Sequence, residues 1–317
     1  MDINSILAEE HKQIQSRKKQ ARSTITLCLL ACTLLQVAQI VLSMFYVQTG
    51  NEAWYLIQNI IIYSLSFIIP FGVFHLLFNF VNKNRPKETR PKRYLPRKPF
   101  LYISGTLGIG YIVLLSANLI FGDLVEKLTI SDPFVPQTTL GIILFYLYQA
   151  FFPAIIEEWA FRGTILKNLL PYGKKGAIVL SALMFGIVHV QPIQACFATV
   201  LGLLLGILYE YTNSLFLPIV IHFLNNAIAA SSTIFENNAL FQTLLSILIF
   251  TFIGCAIAFI SIYSKRWINT KPASLIKSNI GGYKLSVGEF LRYFFLNSGI
   301  IPFAIILMLI LYLYYFF

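Results

Sequence analysis

Charge is what this chain has least of. Only 12% of its 317 residues are Asp, Glu, Lys or Arg, while 57% are hydrophobic. A soluble domain carries about 25% charged residues, so that class is excluded. Acids are scarcer than bases, 13 against 24, for a net charge of +11. Nucleic acid is one partner for such an excess. The basic residues, however, fall between apolar runs rather than on one polar domain, which is the pattern of the positive-inside rule. They are read as facing anionic lipid, and no nucleic-acid partner is expected. Cys28, Cys32, Cys196 and Cys255 all sit in apolar runs with no Cys-x-x-Cys pair. That leaves neither a zinc knuckle nor a disulfide framework. A His-Glu-x-x-His helix is missing, as is the internal repeat of many transporters. No cleavable signal is expected, because the first 23 residues are polar and basic and the first apolar run is too long for a signal core.

What is there is apolar sequence in lengths that suit a bilayer. A helix needs about 20 apolar residues to cross, and on that rule nine spans fall at roughly 24–47, 54–81, 101–122, 139–170, 176–194, 195–211, 214–233, 241–263 and 296–317. The expected fold is all-α, a polytopic membrane helix bundle of about nine helices, in a cell membrane and of bacterial type. Pro153 is expected to kink the long fourth span. With the N-terminus in the cytoplasm, the inside segments 1–23, 82–100, 162–176, 210–213 and 264–295 hold 23 of the 24 Lys and Arg, leaving only Lys127 outside. That partition predicts N-in and C-out. The chain divides into a basic N-terminus (1–23), membrane helices with a basic loop at 82–100 (24–138), a core that carries the chemistry (139–235), and C-terminal helices (236–317).

Within that core, ionisable groups sit where lipid makes them expensive, about 2.5–3.5 kcal/mol each at a helix centre. They are Glu157, Glu158 and Arg162, then His189 four residues after Phe185, then His222 four residues before Asn226. Glu157 lies 13 residues before Leu170 and His189 lies 13 after Gly176. Both are thus about 20 Å from one hairpin turn. Glu158 and Arg162 are i,i+4 with the acid first, the favoured order for an intrahelical ion pair. Glu157 points about 100° away and is predicted to be the free base. His222 and Asn226 share a face and suit an oxyanion. Phe185 is placed as a wall of the water site. His75, Glu210, Gln58, Asn59 and Gln149 are read as hydrogen-bonding or interfacial residues, and Gly202 and Gly206 as a close-packing pair. The tail Tyr312–Phe317 reads as an interfacial anchor.

Glu157-Glu158-x-x-x-Arg162, Phe185-x-x-x-His189 and His222-x-x-x-Asn226, in that order on successive helices, resemble the CAAX protease and bacteriocin-processing (Abi) family, which includes the type II CAAX prenyl endopeptidases. The resemblance covers roughly 139–235, about a third of the chain. It implies an intramembrane endopeptidase in which Glu157 and His189 activate water while His222 and Asn226 hold the oxyanion. Its substrate would be a hydrophobic peptide or a lipidated, membrane-associated protein, such as a pheromone, a bacteriocin or a CAAX-like tail. The metal question stays open. Glu157, His189 and His222 form a Glu/His/His zinc set on paper, yet a metal-free glutamate mechanism needs no such ion. A second reading is a non-catalytic regulatory or bacteriocin-immunity protein that binds a sensor kinase or envelope enzyme. A third is a proton-coupled transporter.

Overall fold

The computed structural model describes residues 3–81, 93, 95, 96, 98–128, 134–269 and 283–316. Of the basic loop at 82–100, only 93, 95, 96 and 98–100 are among these, and the side chains of the aromatic tail also lie outside the described set. The described residues are helical, with no strand. In chain order the helices are α1 (Ile3–Ser43), α2 (Glu52–Val81), α3 (Pro99–Leu128), α4 (Thr139–Tyr172), α5 (Lys174–Ile187), α6 (Pro192–Thr212), α7 (Phe216–Ile234), α8 (Ala239–Asn269), α9 (Val287–Phe295) and α10 (Ile300–Phe316).

Each of the nine apolar runs becomes helix, but fewer than nine cross alone. Among the described residues seven helices are long and apolar enough, and α9 with α10, bent by 71°, makes up to eight. The shortfall is α5. Its 14 residues reach about 21 Å, short of a core about 30 Å thick. The expected span 176–194 therefore ends early. α6 starts at Pro192, with Gln191 accepting the Gln194 N–H as the N-cap. Proline suits that first turn, where an N–H has no partner in the helix.

α4 is not broken at Pro153. Proline has no N–H, so the preceding turn widens, and the Phe152 N–H reaches back five residues to the Leu147 carbonyl. A second wide turn spans Trp159–Leu166. These two turns bracket Glu157 and Glu158.

Hydrogen bonds gather the helix ends into two faces. On one face Arg17 Nη1 donates to the Tyr283 carbonyl (3.0 Å), the Leu285 N–H donates to the Tyr172 carbonyl (2.8 Å), and Lys174 pairs with Glu210. Lys18 pairs with Glu289 at 3.2 Å. On the other face Glu52 accepts from the Gln137 N–H and the Thr138 hydroxyl (2.9 Å each). Gln36 Nε2 there donates to the Val188 carbonyl (3.2 Å), and Gln242 Nε2 to that of Phe235 (3.0 Å). The chain thus runs up and down in antiparallel pairs, the simplest way for short loops to join neighbouring helices.

Packing inside lipid depends on close backbone approach, since lipid tails are as apolar as the side chains. α3 and α8 meet where a Cβ on Gly108 would fall 2.0 Å from the Phe252 carbonyl oxygen. α6 meets α5 at Gly202, where a Cβ would fall 3.3 Å from Ala182 Cα, and at Gly206, 3.2 Å from the Ile178 side chain. The largest core cluster joins α1, α2, α4, α5 and α9 through Phe71, Phe161, Phe185, Phe290 and Phe294.

Candidate active site

The buried charges of α4 form the floor of the site. Arg162 is 1% exposed and Glu158 0%. Arg162 Nη1 donates to Glu158 Oε1 (2.6 Å), and its Nη2 donates to the Gly202 carbonyl (3.2 Å). The guanidinium also lies over the Phe185 ring, 4.4 Å from its centroid. Losing one partner of such a pair costs about 3–5 kcal/mol, because a bare charge is left in a dry interior. The ion pair expected from the i,i+4 spacing is therefore present. The spacing did not reveal that Glu158 has a second partner: His222 Nδ1 stands 2.9 Å from the same Oε1. An ionised carboxylate only accepts, so His222 Nδ1–H donates.

Glu157 lies one residue back and lines a cavity of about 220 Å³. Its two oxygens differ. Oε1 accepts a hydrogen bond from the Tyr63 hydroxyl of α2. Oε2 is buried without a hydrogen-bond partner. It stands 3.9 Å from His189 Nε2 and 3.9 Å from His222 Nε2. The depth match predicted for Glu157 and His189 thus produces a real approach, but by different means. His189 is not inside a helix. It sits in the turn after α5, its backbone N–H bonded to the Gly186 carbonyl (3.0 Å). Its Nδ1–H donates to the Phe185 carbonyl (2.7 Å). A neutral His189 therefore turns an Nε2 lone pair to the cavity.

Phe185 stands between these groups as the expected wall. Its ring is edge-on to His189 (centroids 4.9 Å apart) and to His222 (5.8 Å). Asn226 also lines the cavity. Its Oδ1 accepts from Asn225 Nδ2 (3.0 Å), which leaves the Asn226 amide N–H groups free for another acceptor.

Tyr63 and Asn225 are not among the residues expected from the sequence. Neither carries a motif, and each is recognisable only once its neighbour is in place. Gln149, expected to tie helices together, instead lines the cavity, with Gln39 and Gln194. Asn59, also expected to tie helices together, bonds within its own helix α2 instead. His75 Nε2 meets Thr164 Oγ1 at 3.2 Å, away from the cavity. Gln58 bonds to the Val47 backbone and Asn59 to the Tyr55 carbonyl.

The donor set can be compared with what zinc requires. Ligands at about 2.1 Å with tetrahedral angles leave neighbouring donor atoms about 3.4 Å apart. Here the separations from Glu157 Oε2 are 3.9 Å, and among the described residues no three His, Cys, Asp or Glu are grouped as metal ligands. The set Glu157, His189 and His222 is splayed wider than a closed shell, and its spacing suits a bridging water.

Residues 139–228 match a family model described as type II CAAX prenyl endopeptidase Rce1-like. No curated protein and no solved structure matches the chain.

Proposed function

We propose that this multi-pass membrane protein, whose residues 139–228 match the Rce1-like model, belongs to the CAAX protease and bacteriocin-processing family and is an endopeptidase using a glutamate-activated water. One observation carries the reading. Glu157 Oε2 is buried, has no hydrogen-bond partner, and is equidistant from two imidazole nitrogens. A water held there touches a carboxylate and the His189 Nε2 lone pair, both able to take its proton.

The tautomers divide the labour. With Nδ1–H committed to Phe185, neutral His189 accepts at Nε2. With Nδ1–H committed to Glu158, His222 donates through Nε2 when the ring carries both protons. His222 Nε2–H and the free Asn226 N–H then face a developing oxyanion. In sequence, water gives its proton to Glu157 Oε2 and its oxygen attacks the scissile carbonyl carbon. The C–N bond then breaks, and the Glu157 carboxyl returns the proton to the leaving nitrogen. The products are a carboxylic acid, which keeps the second proton of the water, and an amine; passing that proton to the amine gives the carboxylate and the ammonium.

The substrate is a hydrophobic or membrane-associated peptide. Among the cavity residues Glu157 is the one carboxylate, and there is no Lys or Arg, so the segment around the scissile bond is uncharged. The test is purified protein in liposomes with a panel of hydrophobic peptides and mass-spectrometric detection of products. Glu157→Gln and His189→Ala are each expected to lower turnover by about 10²–10⁴-fold. Turnover of Glu157→Gln equal to wild type would remove the reading.

A further inference from the structure

We infer that the cavity opens on the non-cytoplasmic side of the membrane, so that the substrate is a peptide segment presented from outside the cytoplasm. This rests on the hydrolase reading for the word substrate, but the sidedness stands on geometry and charge.

The geometry concerns which way the cavity is closed. On α4 its lining runs from Tyr148 to Glu157 and stops. The next layer towards Tyr172 is sealed: Glu158, Phe161, Ile165 and Leu166 are all 0% exposed, and Arg162 is 1%. Phe71 of α2 (0%) and Phe185 of α5 (1%) complete that plug. In the other direction the lining becomes polar and reaches helix ends. Gln39 lies four residues before the end of α1, Gln194 two residues after the start of α6, and His189 in the α5–α6 turn itself. Gln149 and Gln194 are exposed. In lipid a side-chain amide without a partner is costly, so a row of them marks a wet mouth.

The charge concerns which face that mouth is on. It shares its face with 44–52, 134–138, 188–191 and 235–238, which hold Glu52 and Glu236 and no Lys or Arg. The plugged side holds Arg17, Lys18, Lys19, Arg22, Lys174 and Lys175. The sequence joining Val81 to Pro99 runs between helix ends on that same side and adds Lys83, Arg85, Lys87, Arg90, Lys92, Arg93, Arg97 and Lys98. Lys and Arg in short loops stay in the cytoplasm. The plugged face is therefore cytoplasmic and the mouth is external. A cytoplasmic lipidated tail would have to pass the Arg162–Phe161 layer to reach Glu157. An exported peptide, or the outer end of a membrane segment, would not.

Single cysteines test this in spheroplasts, in a chain with Cys196 and Cys255 changed to alanine and the buried Cys28 and Cys32 retained. The probe is a membrane-impermeant maleimide. Asn237→Cys on the acidic rim and Gln194→Cys at the mouth are expected to label in sealed cells. Lys19→Cys and Lys175→Cys are expected to label only after permeabilisation. The reverse pattern overturns the inference. So does labelling of Asn237→Cys from outside while Gln194→Cys is reached only from inside, or from neither side. Labelling requires no hydrolysis. A chain that labels as expected while Glu157→Gln keeps full turnover retains the sidedness and loses the protease mechanism. One that loses turnover in Glu157→Gln but labels in reverse retains the mechanism and loses the sidedness.

Discussion

The Tyr63 hydroxyl donates to Glu157 Oε1, leaving Oε2 as the only free oxygen of the carboxylate, between His189 and His222. The donor comes from α2, outside the 139–228 segment. Its ring is held by Phe67 (centroids 5.1 Å apart) and edge-on Tyr148 (6.4 Å). On the proposed mechanism Tyr63 selects the oxygen that meets the water and acts as a positioning residue. Tyr63→Phe keeps the ring and removes the hydrogen bond. A hydrogen bond to a charged group is worth about 1.5–3 kcal/mol. The expected result is a kcat reduced about 10-fold or more with KM unchanged, read from steady-state kinetics on a hydrophobic peptide. A purely packing role would leave kcat where it is.

Asn225 and Asn226 separate in the same assay. Asn226→Ala removes the proposed oxyanion donor and is expected to cost about 10²–10³-fold in kcat. Asn225→Ala only frees the Asn226 amide to rotate, and its loss is expected to be the smaller of the two. Equal losses would place Asn225 itself against the substrate.

Arg162→Met leaves the Glu158 carboxylate buried beside His222 with no guanidinium. The expected destabilisation is about 3–5 kcal/mol, seen as a lower melting temperature in detergent. Glu158→Gln combined with Arg162→Met removes both charges and is expected to recover part of that stability while remaining inactive. A double variant no more stable than Arg162→Met would show that the pair contributes through its packing on Phe185 rather than through its charges.

Gly202→Ala probes the α5–α6 contact. The added Cβ would lie 3.0 Å from the Phe185 ring and 3.3 Å from Arg162 Nη2. Overpacking of this kind costs about 1–3 kcal/mol. Because Phe185 also flanks both histidines, activity is expected to fall by a larger factor than stability alone explains. The check is turnover measured well below the melting temperature of the variant.

How legible the site was in the sequence depends on the range of each interaction. Glu158 and Arg162 could be paired because i,i+4 geometry is local to one helix. Glu157 and His189 could be placed at one depth because rise per residue is constant along a helix. His189 was nevertheless assigned to a helix that ends two residues earlier, since hydropathy continues through the turn at 188–191 while hydrogen bonding does not. Pro153 suggested a kink. The structure instead carries a wide turn at Leu147–Phe151 just before it, a form that hydropathy and spacing do not report.

Sequence by itself determined the class of molecule. Scarce charge and runs of lipid-soluble length admit only helices, because a backbone in hydrocarbon must satisfy its own hydrogen bonds. It also singled out Glu157, Glu158, Arg162, His189 and His222 as candidates, since ionisable groups in such runs are costly. Only the tertiary structure decided which carboxylate oxygen is free, that Tyr63 bonds Glu157 and Asn225 bonds Asn226, and which end of the cavity is plugged by Phe161 and Arg162. Those facts arise between helices far apart in the chain, where packing sets distance and direction and no spacing along the sequence encodes them.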